Sequence, residues 1–557
     1  MSQRTPDRTR VNSLRESAEA AYACSMSPTR REALARIAAL AAVPLARIKW
    51  TGEITAADPL DGTIADYQAG RHRGDWTAAE VTARALDRCT IDGAKWRAID
   101  ALAATAMADA RAADQRLRAN QMRGPLDGVP VFAKAIYDVA ALPTTGSNAD
   151  WARLFPDPVS RDSLEVSRLR AAGAIILGKT AADDFAYHGT GTSSHTGQVL
   201  NPHDPTGTRT PGGSSAGSAV SVAGGMAFAA LGTDDGGSNR IPAQFTGVVG
   251  MKPTFGLAPR SGVIPTWPYL DTHGPLARHV ADAALLLAAI AGPDAVDPLA
   301  RTNAWNAAPL AALRDDAVSG VRLGLVDAHV PRAQMSAEAL AMWDRAVGDL
   351  RAAGATAESF APAVTLATYR DAFAAAARSR GDVAPDSRSP APTANALFQY
   401  FAHRSDNPRD AIRRGYAAYR AFYDVLPATF EDCEPLLMQP MERDAAGQSF
   451  ARSRADVVAE LAKSMRAAGV AAMIYPTLPF DAFRLADGWP NVSTALGYGN
   501  WLGLPEVSVP AGVGADGMPA LNVSFVGLPG KDAHVLALAH AYERQSRRFV
   551  PPPRSRL

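Results

Sequence analysis

The pattern of apolar and polar positions predicts helices alternating with short buried strands along most of the chain. In residues 77–121, apolar side chains recur three or four positions apart and glycines are few, which is typical of helices. Residues 129–133 and 174–177 form short apolar runs, and a helical stretch over 163–172 precedes the second run. We interpret both runs as buried strands, with Pro130 at a strand start or on an edge. Helices alternating with such strands indicate an α/β core.

Residues 202–262 are dominated by Gly, Ser, Thr and Pro, but they include too many apolar residues for a disordered linker. We therefore predict a loop region of the core with one embedded helix. Apolar residues at helical spacing then predict an amphipathic helix over 276–291, which Gly292 and Pro293 end.

The second half of the chain begins with a predicted strand at 321–326 and continues over about 335–465 as an Ala- and Arg-rich, largely helical stretch. The α/β pattern returns near the C-terminus, where we predict three strands and a final helix. These lie at 470–474, 507–509, 521–526 and 532–544. No internal repeat is visible, which argues against a solenoid or a propeller.

Residues 26–46 contain an arginine pair followed by a short apolar stretch. Arg30 and Arg31 precede apolar residues 37–46, and the arrangement is similar to a twin-arginine export signal. An amphipathic first helix explains the same residues, and Pro44 interrupts a clean cleavage site. The pattern favours export to the periplasm over a cytoplasmic location, and the apolar stretch is too short to act as a transmembrane anchor.

The charge balance and the cysteine spacing argue against several classes of function. The 557 residues include 57 Lys and Arg against 56 Asp and Glu, so the net charge is +1, and no charged tail stands out. This balance gives no electrostatic reason to expect nucleic acid or an anionic membrane as a partner. The three cysteines are far apart and form no cluster with histidine at zinc spacing, so neither a disulfide framework nor a metal site is expected.

Two short motifs suggest chemistry but lack the local structure that it requires. Residues 173–180 fit the phosphate-binding expression GxxxxGK[ST], yet four apolar residues occupy the loop that should hold the phosphate, so we predict a buried strand instead. Residues 213–217 fit GxSxG, the nucleophile elbow of α/β-hydrolases, which would make Ser215 the attacking group of an esterase. The Pro- and Gly-rich residues before Ser215 are poor candidates for the strand that the elbow needs, and this esterase stays an alternative.

A much longer stretch matches one family. Residues 211–256 contain GGSSAGS, then TDDGGSNRIPA and GVVGMKPT, and together these segments resemble the amidase signature family. Residues 124–147, GPLDGVPVFAKAIYDVAALPTTGS, are similar to the family segment that holds its catalytic lysine. The resemblance runs from about residue 60 to about 545 and thins over 300–465. The chain departs from the common pattern at four positions: Ala135, Ala216, Asp235 and Asn239.

The resemblance implies one large α/β domain over residues 61–550, with a central mixed, twisted β-sheet covered by helices on both faces. Residues 1–60 would be an N-terminal extension, and a helical portion over about 300–465 would set substrate specificity. The resemblance also implies an enzyme that hydrolyses a small-molecule amide without a cofactor or metal, as a monomer or homodimer.

Carried over position by position, the family's catalytic residues fall on three positions of this chain. Ser238 is then the nucleophile, and Lys134 is the base. Ser214, the position of the family's serine with a cis peptide bond, is the relay between them. Ser215, Asp234 and Arg240 fall in the supporting loops.

These residue types suit amide cleavage on chemical grounds. A serine hydroxyl needs a base in order to attack, and a lysine can serve as that base only when burial keeps its amine neutral. Lys134 directly follows the apolar run 129–133, which favours such burial. Ser214 can accept one proton while it donates another, and the same path in reverse delivers a proton to the departing amine.

Four successive backbone N–H groups, those of Asp235, Gly236, Gly237 and Ser238, are candidates for an oxyanion hole. The paired glycines permit a backbone that aims such groups at one point. Asp235 stands where the family frequently has threonine. We expect either a negative charge beside the donors or its neutralisation by a nearby arginine.

Two other functions are compatible with the same scaffold. The family includes the A-type component of an amidotransferase, which acts within a larger complex that amidates misacylated tRNA and would depend on its partners. A non-catalytic binding protein would not react with a serine-directed phosphonate or sulfonyl probe. The export-like segment disfavours the first, and the intact set Lys134, Ser214 and Ser238 disfavours the second.

Overall fold

The computed structural model describes residues 58–300, 313–330, 332–492 and 494–555, and its centre is an eleven-stranded β-sheet. The strands in chain order are β1 (Ile99–Leu102), β2 (Pro130–Lys134), β3 (Ile175–Thr180), β4 (Thr192–Ser193), β5 (Gly197–Gln198), β6 (Ala229–Thr233), β7 (Val249–Lys252), β8 (His273–Ala277), β9 (Arg322–Leu325), β10 (Thr356–Ser359), β11 (Ala472–Pro476), β12 (Glu506–Val513) and β13 (Pro519–Val526). β4 and β5 form a separate two-stranded sheet.

The large sheet is mixed, with the strand order β1-β3-β2-β6-β8-β7-β12-β13-β11-β9-β10. β3, β2 and β6 run parallel near one edge, and β11, β9 and β10 run parallel at the other. The pairs between β6 and β11 are antiparallel. Every residue of β2, β3, β6 and β8 is buried, as expected for strands whose faces are covered. The predicted class, one α/β domain around a mixed central sheet, is confirmed.

Helices flank this sheet, and one hydrophobic core includes residues of most helices and strands. The longer helices in chain order are Ile64–Arg73, Ala78–Arg88, Ala106–Arg118, Ala149–Leu154, Leu164–Ala171, Ala216–Ala223, Arg240–Thr246, Val280–Ile290, Ala337–Ala352, Tyr369–Arg380, Pro390–Arg404, Pro408–Arg420, Phe430–Leu437, Ala445–Ala467, Leu496–Leu502 and Asp532–Ser546. The predictions of a largely helical 335–465 and of strands and a final helix near the C-terminus are confirmed. The predicted division into an extension, a catalytic domain and a specificity portion stays a prediction.

The predicted helical stretch 77–121 is wrong at one point, because β1 interrupts it. β1 lies at the edge of the sheet, and none of its four residues is fully buried. So short an edge strand carries no clear alternation of apolar and polar residues, which is the signal that a strand prediction needs.

Residues 202–262 contain two helices and two strands, so the prediction of one embedded helix is wrong. Glycines in the two strands of this segment serve close packing rather than flexibility. A side chain on Gly232 in β6 or on Gly250 in β7 would collide with Asn239. The low side-chain volume therefore hid two buried strands from a prediction based on composition.

The predicted amphipathic helix over 276–291 differs in its start and in its burial. Leu276 belongs to β8, and the helix begins at Val280. Every residue of Val280–Ile290 is buried. Its one polar residue, Asp282, is also buried and accepts a hydrogen bond from Ile64 N, so the helix faces the core on all sides rather than along one apolar stripe.

The sheet topology brings residues that are distant in sequence together at one end of the central strands. β2 and β6 are parallel neighbours, so their last residues, Lys134 and Thr233, lie side by side at the C-terminal ends of these strands. β8 runs antiparallel to β6, and its first residue, His273, pairs with Thr233. The loops after β6 and before β8 therefore meet there, and in α/β sheets ligands bind at such carboxyl ends.

The predicted export segment 26–46 lies outside the described residues, so export stays a prediction. In the described ranges, no helix is both long and apolar enough to cross a membrane. Cys89 and Cys433 are buried free thiols, as their wide spacing predicts.

Candidate active site

Lys134 lies at the end of β2 and is completely buried. Its Nζ donates hydrogen bonds to Ser214 Oγ at 2.7 Å and to Thr233 Oγ1 at 2.9 Å. Burial lowers the pKa of the amine to about 8, although the nearby acidic side chains, Asp235 and Asp183 first, oppose this effect to the extent that they are ionised. The neutral amine is therefore far more accessible than in a solvated lysine, whose pKa is about 10.4.

Ser214 precedes the helix Ala216–Ala223, and the peptide bond between Gly213 and Ser214 is cis, as the resemblance implies. The Ser214 carbonyl accepts a hydrogen bond from Asp183 N. The Asp183 carboxylate in turn accepts hydrogen bonds from the backbone N–H groups of residues 190–192. A side chain on Gly213 would collide with that carboxylate, so only glycine fits before Ser214.

Ser238 lies in the turn between β6 and the helix Arg240–Thr246. Its carbonyl accepts a hydrogen bond from Ser215 N at 3.1 Å, which links this turn to the other serine loop. The residue is 8% exposed, and its hydroxyl forms no hydrogen bond with the described residues. Gly237, just before it, has a φ of +113°, which residues with a side chain rarely adopt. In this turn the Ser238 hydroxyl is therefore not engaged in a hydrogen bond with any described residue.

A buried ion network supports this turn. The Asp234 carboxylate accepts hydrogen bonds from Gly237 N at 2.8 Å and Asn239 N at 3.1 Å, and both of its oxygens contact Arg240. Arg240 also binds Glu506 in β12. Burial alone would raise the pKa of Asp234, but the Arg240 guanidinium outweighs it and holds that pKa below its usual range. Both side chains are completely buried, so they shape the turn from behind.

Three of the four predicted oxyanion donors have no partner among the described residues. These are the backbone N–H groups of Asp235, Gly236 and Ser238. The N–H group of Gly237 already donates to Asp234, which argues against it as an oxyanion donor, because one proton does not serve two strong acceptors well. Apart from its two chain neighbours, no heavy atom of the described residues lies within 4 Å of where a Cβ of Gly236 would be, so a substrate oxygen has room to approach this backbone.

Ser215 is engaged in structural hydrogen bonds. Its hydroxyl lies 3.2 Å from Thr233 O and 3.0 Å from Asn239 Oδ1, and it is completely buried. No strand is described between residues 199 and 215, so the nucleophile elbow lacks the strand on which its serine depends. The geometry therefore argues against the GxSxG alternative. The phosphate-loop expression at 173–180 coincides with the buried strand β3, as predicted.

Sequence reasoning missed two residues that contact this set. Thr233 accepts the second hydrogen bond of Lys134, and it could have been found, because it ends an apolar run directly before Asp234. Thr266 Oγ1 is hydrogen-bonded to Asp235 Oδ2 at 2.6 Å. Of the two alternatives expected for Asp235, neutralisation by a nearby arginine is therefore wrong, since Arg240 binds Asp234 instead. Thr266 belongs to no motif, so nothing in the sequence signalled it.

The site offers side chains for proton transfer rather than for metal binding. Throughout the described ranges, no three His, Cys, Asp or Glu side chains group in a way that could hold an ion. The arrangement can pass a proton between Ser214 and Lys134, and its free N–H groups can bind a developing negative charge.

Comparison with known proteins agrees with this geometry. The family model described as Amidase matches residues 80–536. The A-type component of the glutamyl-tRNA(Gln) amidotransferase of Symbiobacterium thermophilum is 34% identical over 503 residues, which cover 86% of this chain and 96% of that protein. The native peptide amidase of Stenotrophomonas maltophilia aligns with a TM-score of 0.70 at 28% identity, over 89% of this chain and 99% of that structure.

A more distant structure shows the same fold. The corresponding A-type component of the glutamyl-tRNA(Gln) amidotransferase of Thermotoga maritima aligns with a TM-score of 0.63 at 22% identity, over 90% of this chain and 100% of that structure. The matched range 80–536 spans most of the chain and contains Lys134 and both serine loops. The chain therefore belongs to the amidase signature family of enzymes, which act on carbon–nitrogen bonds.

Proposed function

We propose that this protein hydrolyses amide bonds through a serine acyl-enzyme and releases a carboxylic acid with ammonia or an amine. Ser238 is the nucleophile, Ser214 the relay and Lys134 the base. The observation that carries the proposal is the 2.7 Å hydrogen bond between Lys134 Nζ and Ser214 Oγ, in a buried site where the pKa of the amine falls to about 8.

In the first half of the reaction, Ser238 Oγ attacks the carbonyl carbon while its proton moves to Ser214 Oγ. Ser214 gives its own proton to Lys134 Nζ, which becomes an ammonium. As the carbon–nitrogen bond breaks, the proton returns by the same path to the departing nitrogen, because an amide anion is a poor leaving group. Water then attacks the acyl-enzyme with the same proton transfers, and the acid leaves.

The oxyanion donors in this proposal are the N–H groups of Asp235, Gly236 and Ser238. One well-aimed donor is typically worth about 3 kcal/mol of barrier. Because Arg240 holds Asp234 and Asp234 holds Gly237 N, the turn has its shape before substrate arrives. Such preorganisation supports stabilisation of the tetrahedral intermediate without further rearrangement.

An amidotransferase A-type role is the second candidate, and the 34% identity with the Symbiobacterium thermophilum protein favours it. In that role the substrate would be glutamine, and the released ammonia would pass to a partner complex. The same three residues would perform the hydrolysis, so the two candidates differ in substrate and partner rather than in chemistry.

The purified chain alone, assayed against a panel of amides, separates these candidates. We expect equal amounts of acid and of ammonia or amine to appear without any partner, and a serine-directed phosphonate to label Ser238. Activity restricted to glutamine and dependent on added amidotransferase partner proteins would favour the second candidate. Absence of both turnover and labelling would overturn the proposal.

A further inference from the structure

A threonine hydroxyl joins two carboxyl groups beside the Ser238 turn. Thr266 Oγ1 is 2.6 Å from Asp235 Oδ2 and is also hydrogen-bonded to Asp271 Oδ1. Thr266 N donates to the other Asp271 oxygen at 2.9 Å. Asp271 comes two residues before His273, which pairs with Thr233, so the sheet register itself brings Asp271 beside Asp235.

The hydroxyl shared by these two carboxyl groups indicates that one of them is protonated. A hydroxyl has a single proton, and ionised carboxylates only accept, so two carboxylates cannot both be hydrogen-bonded to it through its one proton. A second observation concerns Asp235 Oδ1, which is sealed from solvent although the residue as a whole is partly exposed. It has no hydrogen-bond partner among the described residues, which is costly for a carboxylate and much less so for a neutral acid.

The proton belongs on Asp235. Burial and the neighbouring Asp271 raise the pKa of Asp235 well above its usual value. Burial also acts on Asp271, but the hydrogen bond with Asp235 and the charges of His273 and Arg260 outweigh it and lower the pKa of Asp271. The pair therefore holds one proton and one negative charge.

We propose that Asp235 is a positioning residue that keeps its proton, shares it with Asp271 across Thr266, and thereby leaves the Lys134 amine uncharged. This inference rests on the proposed function, since it needs Lys134 as the base. A negative charge on Asp235 acts on Lys134 more strongly than one on Asp271 does. An ionised Asp235 would hold the amine as an ammonium, which accepts no proton from Ser214.

Other ionisable groups face the pair from several elements. The acidic and basic side chains around the pair and Lys134 are Lys134 itself at the end of β2, Asp183 beside the Ser214 loop, Asp234 in the same turn, Arg260 in the loop before β8, and His273 in β8, whose ring binds Glu165 at 3.0 Å. Three phenols also face it, those of Tyr137, Tyr419 and Tyr423. Burial raises the pKa of each phenol well above its usual value, so they stay neutral at working pH. Lys134 is the group whose protonation the pair controls.

The pH dependence of kcat/KM, which reports groups of the free enzyme, tests this proposal. In Asp235→Asn a neutral group replaces a neutral group, so we expect the acidic limb to stay where it is in the wild type. In Asp271→Asn the remaining acid, Asp235, stays buried but loses its like-charged neighbour, so its pKa falls and a larger fraction of it is ionised close to Lys134. The acidic limb should then move to higher pH by about 1 unit or more, with about a tenfold loss of kcat/KM per unit below it.

The opposite pattern, with a limb shifted to lower pH in Asp235→Asn and unmoved in Asp271→Asn, would place the charge on Asp235 and overturn the proposal. An acidic limb that is unmoved in both variants would show that the pair does not affect the protonation of Lys134, and this result would also overturn the proposal. Asp282→Asn is a matched control, because Asp282 is a buried carboxyl group whose pKa is raised to about 6 and whose partner is Ile64 N. Its limb should match that of the wild type.

Infrared spectroscopy gives a readout that does not depend on activity. In the difference spectrum of the wild type minus Asp235→Asn at neutral pH, the carbonyl stretch of one protonated carboxyl group should appear as a band that the variant has lost. Loss of this band only in Asp271→Asn would overturn the proposal even if the variants were poorly active. Retention of the band together with a fully active Ser238→Ala would instead contradict the proposed function, so the two failures are distinguishable.

A separate observation concerns the substrate. Trp489 is 41% exposed and packs on Phe480 and Phe483. A Cβ on Gly189 would lie 3.5 Å from the Trp489 ring and 3.8 Å from the carbonyl oxygen of Gly213, the residue before Ser214. The exposed indole therefore borders the loop that holds the proposed relay.

Apolar side chains continue from this indole to the nucleophile turn. A Cβ on Gly237 would lie 2.8 Å from Leu496 and 3.0 Å from Ile241, and the same Ile241 methyl reaches Gly189. Two residues before Gly189 in the chain, the ring of Tyr187 is 40% exposed and packs against Phe422. From this continuous apolar border we infer that the enzyme prefers amides that carry a bulky apolar or aromatic group, because such a group removes the exposed rings from water.

Truncation of the indole tests this preference and, like the preference itself, presumes the proposed amidase activity. In Trp489→Ala we expect KM for an aryl-substituted amide to rise about tenfold, the effect of losing much of one aromatic contact, while kcat/KM for acetamide stays unchanged. Val383→Ala removes an exposed apolar side chain elsewhere and should change neither. Equal effects of Trp489→Ala on both amides, or no effect on either, would overturn the inference, whereas no amide turnover in the wild type would contradict the proposed function.

Discussion

Replacing Ser238 by alanine is expected to lower kcat/KM for amides by a factor on the order of 10⁴ or more, because the variant has no nucleophile. The fold should be unaffected, since the hydroxyl has no partner among the described residues and the Ser238 carbonyl keeps its hydrogen bond from Ser215 N. Measurement of kcat/KM together with the thermal melting temperature checks both parts. Activity close to that of the wild type would exclude Ser238 as the nucleophile.

Ser215→Ala is the matched control, because it removes a neighbouring hydroxyl with a different role. Ser215 connects Thr233 O with Asn239 Oδ1 in a buried setting. Its loss leaves these groups with fewer partners, and we expect a stability cost of about 1–3 kcal/mol. The folded variant should still react with a phosphonate at Ser238, whereas a folded variant without any labelling would support the elbow esterase.

Replacing Lys134 by methionine is expected to lower kcat by about 10²–10⁴-fold, because methionine fills similar space but accepts no proton. Lys134→Arg should be equally impaired, since a guanidinium stays charged at any working pH and does not serve as a base. Single-turnover measurement of acylation would locate the loss in the step before the amine departs. An arginine variant with activity near that of the wild type would contradict the role of Lys134.

The wild-type pH profile follows from the same residue. Burial lowers the pKa of Lys134 to about 8, and the base is the unprotonated amine. Activity should therefore rise with pH up to about 8 and level off above it, with about a tenfold fall per unit at lower pH. This limb should be absent from Lys134→Met, whose residual activity has no amine to titrate.

Lys179→Met is a control variant, because Lys179 is a second buried lysine and lies in β3, next to the strand that holds Lys134. Burial lowers the pKa of Lys179 to about 8 as well, but its Nζ donates to Pro143 O and Thr144 Oγ1, outside the serine loops. We expect a lower melting temperature, because these acceptors lose their donor, with the acidic limb of the pH profile unchanged. Displacement of that limb would mean that Lys179 contributes to the titration assigned to Lys134.

Much of the fold and of the site was predictable because the signals are local. β2 and β3 are runs of apolar residues in the chain itself. The helix Leu164–Ala171, which precedes β3, has the residue spacing typical of a helix. Lys134, Ser214 and Ser238 belong to long contiguous motifs, so their candidacy needed no knowledge of contacts. β1 was missed because a strand of four residues at an edge leaves no pattern, and the strands of 202–262 were missed because glycine packing resembles loop composition.

The sequence by itself determined the α/β class, the family and the three candidate catalytic positions, since these depend on periodicity and on motifs that are continuous along the chain. Only the tertiary structure decided that Gly237 N donates a hydrogen bond to Asp234 and that the Ser215 hydroxyl is hydrogen-bonded to Asn239. The same holds for the position of Thr266 between two carboxyl groups. Thr266 lies 31 positions from Asp235 in the chain. A hydrogen bond and a shared proton require groups to be a few ångströms apart, and for residues so far apart in sequence that distance is set by the register of the sheet.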